Sequence, residues 1–173
     1  MQKVVNHWKY SQPKRMRKGY YDCSALVWKG YKSYKHYNKK LGSGSYAKTA
    51  ASLFDYLKEK GIPFTIASAS IKENIDFFIE SFGLDRWIKP EDIIYDDGTY
   101  ENKIAMFHKA ADVIGVDMKD IRIYEDSNSG LKNAYDAGCR QIIAICDKEK
   151  EEEFLKRPGV IKTMQDFSFA KEL

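Results

Sequence analysis

Between Leu53 and Cys146 the chain alternates helix-period and strand-type segments with short connections, and few folds accommodate that pattern. Ala50, Leu53, Phe54 and Leu57 fall at i, i+3, i+4 and i+7 and predict a helix over 47–60, ended by Gly61 and Pro63. Residues 64–68 then read as a short buried strand. Ser70-Ile71-Lys72-Glu73 has the form of a capping box, and the helix behind it puts Ile75, Phe78, Ile79 and Phe82 on one face before Gly83. A second strand is expected over 92–95, and a helix over 102–114 with Ile104, Phe107, Ala111 and Ile114 inward. A third strand over 121–124, a helix over 129–137 and a fourth strand over 141–146 follow, then a charged helix over 148–156 and a tail. Strands separated by helices on short connections form a parallel sheet with helices on both faces. The fold class expected is therefore α/β.

At 173 residues the chain is long enough for one sizeable core. Its net charge of +4 conceals an asymmetry. Residues 1–51 carry 12 Lys/Arg and one acid, Asp22, for +11, whereas residues 52–173 sum to −7. That shift divides the chain into a basic segment, 1–51, and a core, 52–173, with Gly42-Ser43-Gly44-Ser45 as the candidate linker. No apolar stretch approaches the roughly 20 residues of a membrane span. No apolar run follows Lys3, so no signal peptide is read. The three cysteines, Cys23, Cys139 and Cys146, do not have metal-type pair spacing, and a reduced, cytoplasmic location is the simpler expectation.

Open α/β sheets bind ligands beyond the carboxyl ends of their strands. Ser68 ends the first expected strand, Lys103 opens the helix after the second, and Glu125 and Asp126 end the third. Adjacent carboxylates there can ligate a hard cation such as magnesium. A hydroxyl and an ammonium can bind phosphate oxygens and offset their developing charge. The loop Ser127-Asn128-Ser129-Gly130 leads into a helix N-terminus, which favours anions.

On these residues the segment of about 52–169 resembles haloacid dehalogenase-type phosphatases, in particular the β-phosphoglucomutase branch. Ile66-Ala67-Ser68-Ala69-Ser70 is similar to that family's second motif and Lys103 to its third-motif lysine. Residues 123–130, with Asn133-Ala134 and Ala137-Gly138, are similar to its fourth motif and the helix behind it. The resemblance implies a Rossmann-like parallel sheet. It also implies phosphate binding by Ser68, Ala69 and Lys103, and magnesium held by Glu125 and Asp126. The implied activity is hydrolysis of a small phosphomonoester. The chain departs from the family in two places. Ile104 follows the lysine where proline is frequent, and the central strand ending in an Asp-x-Asp-Gly-Thr nucleophile motif is not recognisable. Asp96-Asp97-Gly98-Thr99 imitates that motif but has Tyr95 at the nucleophile's position, follows the Ser68 strand, and reads as a turn. Asp22, in Tyr20-Tyr21-Asp22-Cys23-Ser24, is the substitute nucleophile considered, behind a poor buried strand.

Residues of about 10–51 resemble the start of NlpC-type cysteine peptidases, in which the Asp-Cys-Ser stretch carries the nucleophile. The resemblance implies that role for Cys23, which a helix N-terminus can activate as a thiolate. No partner histidine follows on a strand; His36 is 13 residues on, roughly 20 Å along a helix axis. The basic residues of this segment alternate with aromatics, as in nucleic-acid-binding surfaces, and a solvated basic face is the preferred reading. The function expected is magnesium-dependent phosphomonoester hydrolysis, left open by the missing nucleophile. The alternatives are a non-catalytic or truncated fusion product and a cell-wall cysteine peptidase fragment. A sheet without its central strand would leave open edges through which copies could associate.

Overall fold

The apolar stripe at Leu53, Phe54 and Leu57 lies on α1 (Tyr46–Glu59) in the computed structural model, which describes residues 46–167. The chain divides into two units, Met1–Lys39 and Lys40–Leu173, and the described residues belong to the second. Asp22, Cys23, His36 and the candidate linker lie outside the described residues. Helix α1 runs unbroken across the change of charge at 51/52. Then follow β1 (Ala67–Ser68), α2 (Lys72–Phe82), β2 (Ile94–Tyr95), α3 (Lys103–Ile114) and β3 (Arg122–Glu125). The order closes with α4 (Asn128–Asp136), β4 (Gln141–Ile145), α5 (Glu151–Leu155) and β5 (Val160–Met164). Among the described residues no helix is long and apolar enough to cross a membrane.

Period-2 alternation sorts the strand side chains onto two faces. On β4, Ile142 and Ala144 join Phe107 of α3 and Leu131 and Ala134 of α4, while Ile143 and Ile145 join Leu53 of α1. Ile142 and Ile143 are fully buried, and such residues stabilise by about 1.5–3 kcal/mol each through loss of contact with water. A third cluster packs Ile75 of α2 against Ile88 and Ile93, with Phe64 and Ile66 beside them. The α/β expectation of parallel strands with helices on both faces holds, with the described strands in two sheets. Asp96 and Asp97 accept from the amides of Gly98 and Thr99 at 3.1 and 2.9 Å, so that stretch is the turn expected.

Three local expectations are corrected. The capping box does not form: Ile71 is the N-cap of α2, with no side-chain cap bond. The Ser70 carbonyl instead accepts from the Asp96 amide at 3.0 Å, which extends the pairing beyond β1 and turns the Ser70 hydroxyl inward, where it is buried without a hydrogen-bond partner. The charged helix is a 3-10 turn, Lys148–Lys150, followed by the short α5. The tail contains β5, whose β-branched residues suit a strand and whose Met164 closes the cluster around Ile143 and Ile145.

The sheet order is the feature that matters for the site. Strand β1 pairs in parallel with β2, with Ser68 opposite Tyr95. Strands β3, β4 and β5 form a second parallel sheet in that order. Among the described residues no strand joins the two sheets.

Candidate functional site

Helix α3 starts where the Asn102 side chain accepts from the Ala105 amide at 3.1 Å. This cap places Lys103 in the first turn. Its ammonium lies 5.4 Å from the ring centroid of Phe107, one turn on, and reaches the end of β3. There it donates to Glu125 Oε2 at 2.6 Å. Both side chains are largely enclosed, at 17% and 9% exposure, so each charge depends on the other.

The other oxygen of Glu125 is held as well. Ser127 caps α4: its hydroxyl accepts from the Gly130 amide at 3.0 Å and donates to Glu125 Oε1 at 3.0 Å. The carboxylate thus lies against the positive end of a helix, where negative charge is favoured. Gly130 makes this approach possible, because a Cβ built there would overlap the Glu125 carboxyl group. Neither Ser127 nor Gly130 stood out from the sequence as more than part of an anion-favouring loop, although a serine three residues before a glycine at a helix start was the available signal.

Asp126 differs from its neighbour. It is exposed at the strand end, yet its surroundings are crowded enough for desolvation to raise its pKa above the ordinary carboxylate range; the charge of Glu125 and a hydrogen bond with it push the same way, and Lys103 opposes them. A group whose folded-state pKa is raised contributes stability while protonated and loses it as pH rises from the ordinary carboxylate range through the raised value. Asp126→Asn is therefore expected to raise the melting temperature of the metal-free protein at pH 7, with the gain vanishing at acid pH. Melts of both proteins across that range check the sign.

Ser68 and Ala69 stand at the carboxyl end of β1, on the other sheet. Ser68 is half-buried and its hydroxyl accepts from the Ser70 amide at 3.3 Å; Ala69 is exposed. The structure therefore joins Lys103 to Glu125, with Asp126 next along the chain, while Ser68 and Ala69 follow a strand of the other sheet. Among the described residues no group of three or more Asp, Glu, His or Cys side chains could hold a metal ion. The donor set nevertheless fits a hard cation: two adjacent carboxylates, one exposed, ordered and short of positive charge. His108 is exposed on α3.

The sequence model of haloacid dehalogenase-like hydrolases matches residues 5–144. The crystal structure of a HAD hydrolase, family IA, variant 3, from Entamoeba histolytica HM-1:IMSS is similar at 26% identity, over 97% of this chain and 78% of that one, with a TM-score of 0.67. A protein from Thermotoga maritima, assigned as a β-phosphoglucomutase, is similar at 16% identity, over 69% of this chain and 57% of that one, with a TM-score of 0.57, which shows the fold alone. No curated protein matches the chain. The hydrolase match runs through residues 10–51, and the resemblance of that segment to a cysteine peptidase is not borne out.

Proposed function

Because this chain belongs to the haloacid dehalogenase-like hydrolase family, we propose that it is a magnesium-dependent hydrolase of small phosphomonoesters. The observation that carries the reading is the enclosed Lys103–Glu125 pair at the end of β3, with Asp126 exposed beside it and raised in pKa. Two neighbouring carboxylates that repel one another are relieved by a dication, which is the electrostatic reason to expect one. Asp126, exposed, and Glu125, whose oxygens each keep a lone pair, would hold it. When bound, magnesium supplies positive charge that offsets the charge on the oxygens of a phosphoryl group.

The remaining roles fall to the chain. The Ser68 hydroxyl and the Ala69 amide bind non-bridging phosphate oxygens. Lys103 divides its ammonium between Glu125 and the incoming phosphate. The N-terminus of α4 holds the carboxylates in place through Ser127 and Gly130. Asp22 remains the nucleophile candidate in the sequence. Our proposed division keeps the charge boundary, 1–51 and 52–173, although the family match crosses it. The substrate is a small phosphorylated molecule in the cytoplasm, with neither nucleic acid nor membrane as partner. A non-catalytic binding role is the second reading, favoured by the departure of the sequence from the family's Asp-x-Asp nucleophile motif.

A thermal melt with magnesium and a phosphate mimic tests the site. Saturation a hundredfold above Kd is expected to stabilise the chain by about 2.7 kcal/mol. Asp126→Asn should remove the magnesium-dependent part, and Ser68→Ala the phosphate-dependent part. No shift with either ligand would sink the proposal. A shift without turnover of phosphomonoesters would leave the binding role.

A further inference from the structure

We propose that Glu153 of α5 is a positioning residue for the cation site, acting through Asn128 to hold the turn that carries Asp126. The inference rests on the magnesium reading under Proposed function and adds to it a group that orients the exposed carboxylate.

The turn between β3 and α4 is tethered on both sides of Asp126. Before it, Glu125 is enclosed with Lys103, and Ser127 joins that carboxylate to the start of α4. After it, Asn128 opens α4, and its side-chain amide donates to Glu153 Oε1 at 3.3 Å. This second tether comes from 25 positions along the chain and ties α5 to the turn. Asp126 is exposed, so the direction of its carboxylate depends on how firmly the backbone on either side is held.

Glu153 is built to hold rather than to swing. Its Oε1 also accepts from an Arg157 guanidinium nitrogen at 2.9 Å, one turn along. The bond from Arg157 first, and that from Asn128 next, hold its carboxyl below the ordinary carboxylate range, and a charged acceptor makes the stronger hydrogen bond. Helix α5 has five residues, too few to be helical alone. It is fixed by Phe154, 3% exposed, which packs in one cluster with Leu131 and Ala134 of α4. Glu153, the residue before Phe154, therefore stands on an element docked against the same helix whose first residue it holds.

The bond itself contributes little to the fold. Glu153 and Arg157 are exposed, and exposed pairs of this kind are worth little to stability. Partners that orient metal ligands account for about ten- to a hundredfold in metal affinity, and an exposed brace belongs at the lower end. Stability and cation affinity should thus separate in variants of this residue, which a purely structural role would not allow.

The measurement is the magnesium concentration that half-saturates the rise in melting temperature of the full chain, with magnesium alone added. Glu153→Ala and Asn128→Ala should each raise it about tenfold and leave the metal-free melting temperature almost unchanged. The double variant should be no weaker than either single one, because both remove the same bond. Glu153→Gln keeps the accepting oxygen and should recover most of the loss. Glu152→Ala, exposed next door with the same change of charge, should have no effect. Additive losses, no recovery in Glu153→Gln, an equal loss in Glu152→Ala, or no loss in the single variants while the unaltered chain still responds to magnesium would each overturn the brace. An unaltered chain that does not respond to magnesium would instead sink the cation reading, and the brace with it.

Discussion

Lys103→Met is expected to destabilise the chain by about 3–5 kcal/mol, because it strands the Glu125 carboxylate as a buried, uncompensated charge. Glu125 is 9% exposed and its partner ammonium lies 2.6 Å away. Ser127 would still donate to the other oxygen, but a hydroxyl hydrogen bond does not replace a full positive charge. The cost belongs to the broken pair and not to the lysine alone. Lys103→Met combined with Glu125→Met should therefore be much more stable than the sum of the single changes, with a coupling of about 0.5–3 kcal/mol. Urea unfolding of the four proteins closes the cycle. Additive effects would mean that the two side chains do not form the enclosed pair, and would remove the basis for a charged site at the end of β3.

Gly130→Ala should cost about 1–3 kcal/mol, the usual penalty for forcing extra atoms into a filled space. Alanine ordinarily favours a helix, by about 1 kcal/mol over glycine, so the expected sign is opposite to the propensity rule. The reason is geometric. The new methyl would occupy the space of the Glu125 carboxyl group, which is tied down on both oxygens by Lys103 and Ser127. The carboxylate has to leave those bonds, and the site loses its ordered acid along with stability. A control at Ser129→Ala, one position earlier and exposed, should change stability by no more than about 0.5 kcal/mol. A stabilising Gly130→Ala would show that Glu125 does not pack against the start of α4.

Most of the element order was legible because it depends on local periodicity. The stripe at Leu53, Phe54 and Leu57, the apolar run within 141–146 and the glycines Gly61, Gly83, Gly115 and Gly138 after α1 to α4 specify their elements from near neighbours alone. Gly115, for example, ends α3 at φ 68°, a conformation that glycine adopts without steric cost. The capping box failed for the opposite reason. Ser70 has the right residue type at the right spacing, but its carbonyl pairs with Asp96, 26 positions along, and that long-range bond decides where its side chain points. Strand β5 was passed over because its apolar residues make sense only beside β4.

The candidate site divides in the same way. The residue types Ser68, Lys103, Glu125 and Asp126, and their places at strand and helix ends, follow from the sequence by itself, since strand and helix boundaries are local properties. That Lys103 meets Glu125, that Ser127 and Gly130 fasten the carboxylate, and that Ser68 ends a different sheet were decided only by the tertiary structure. Those relations depend on which strands hydrogen-bond to which, and strand pairing is set by contacts distant in sequence, where local pattern carries no information.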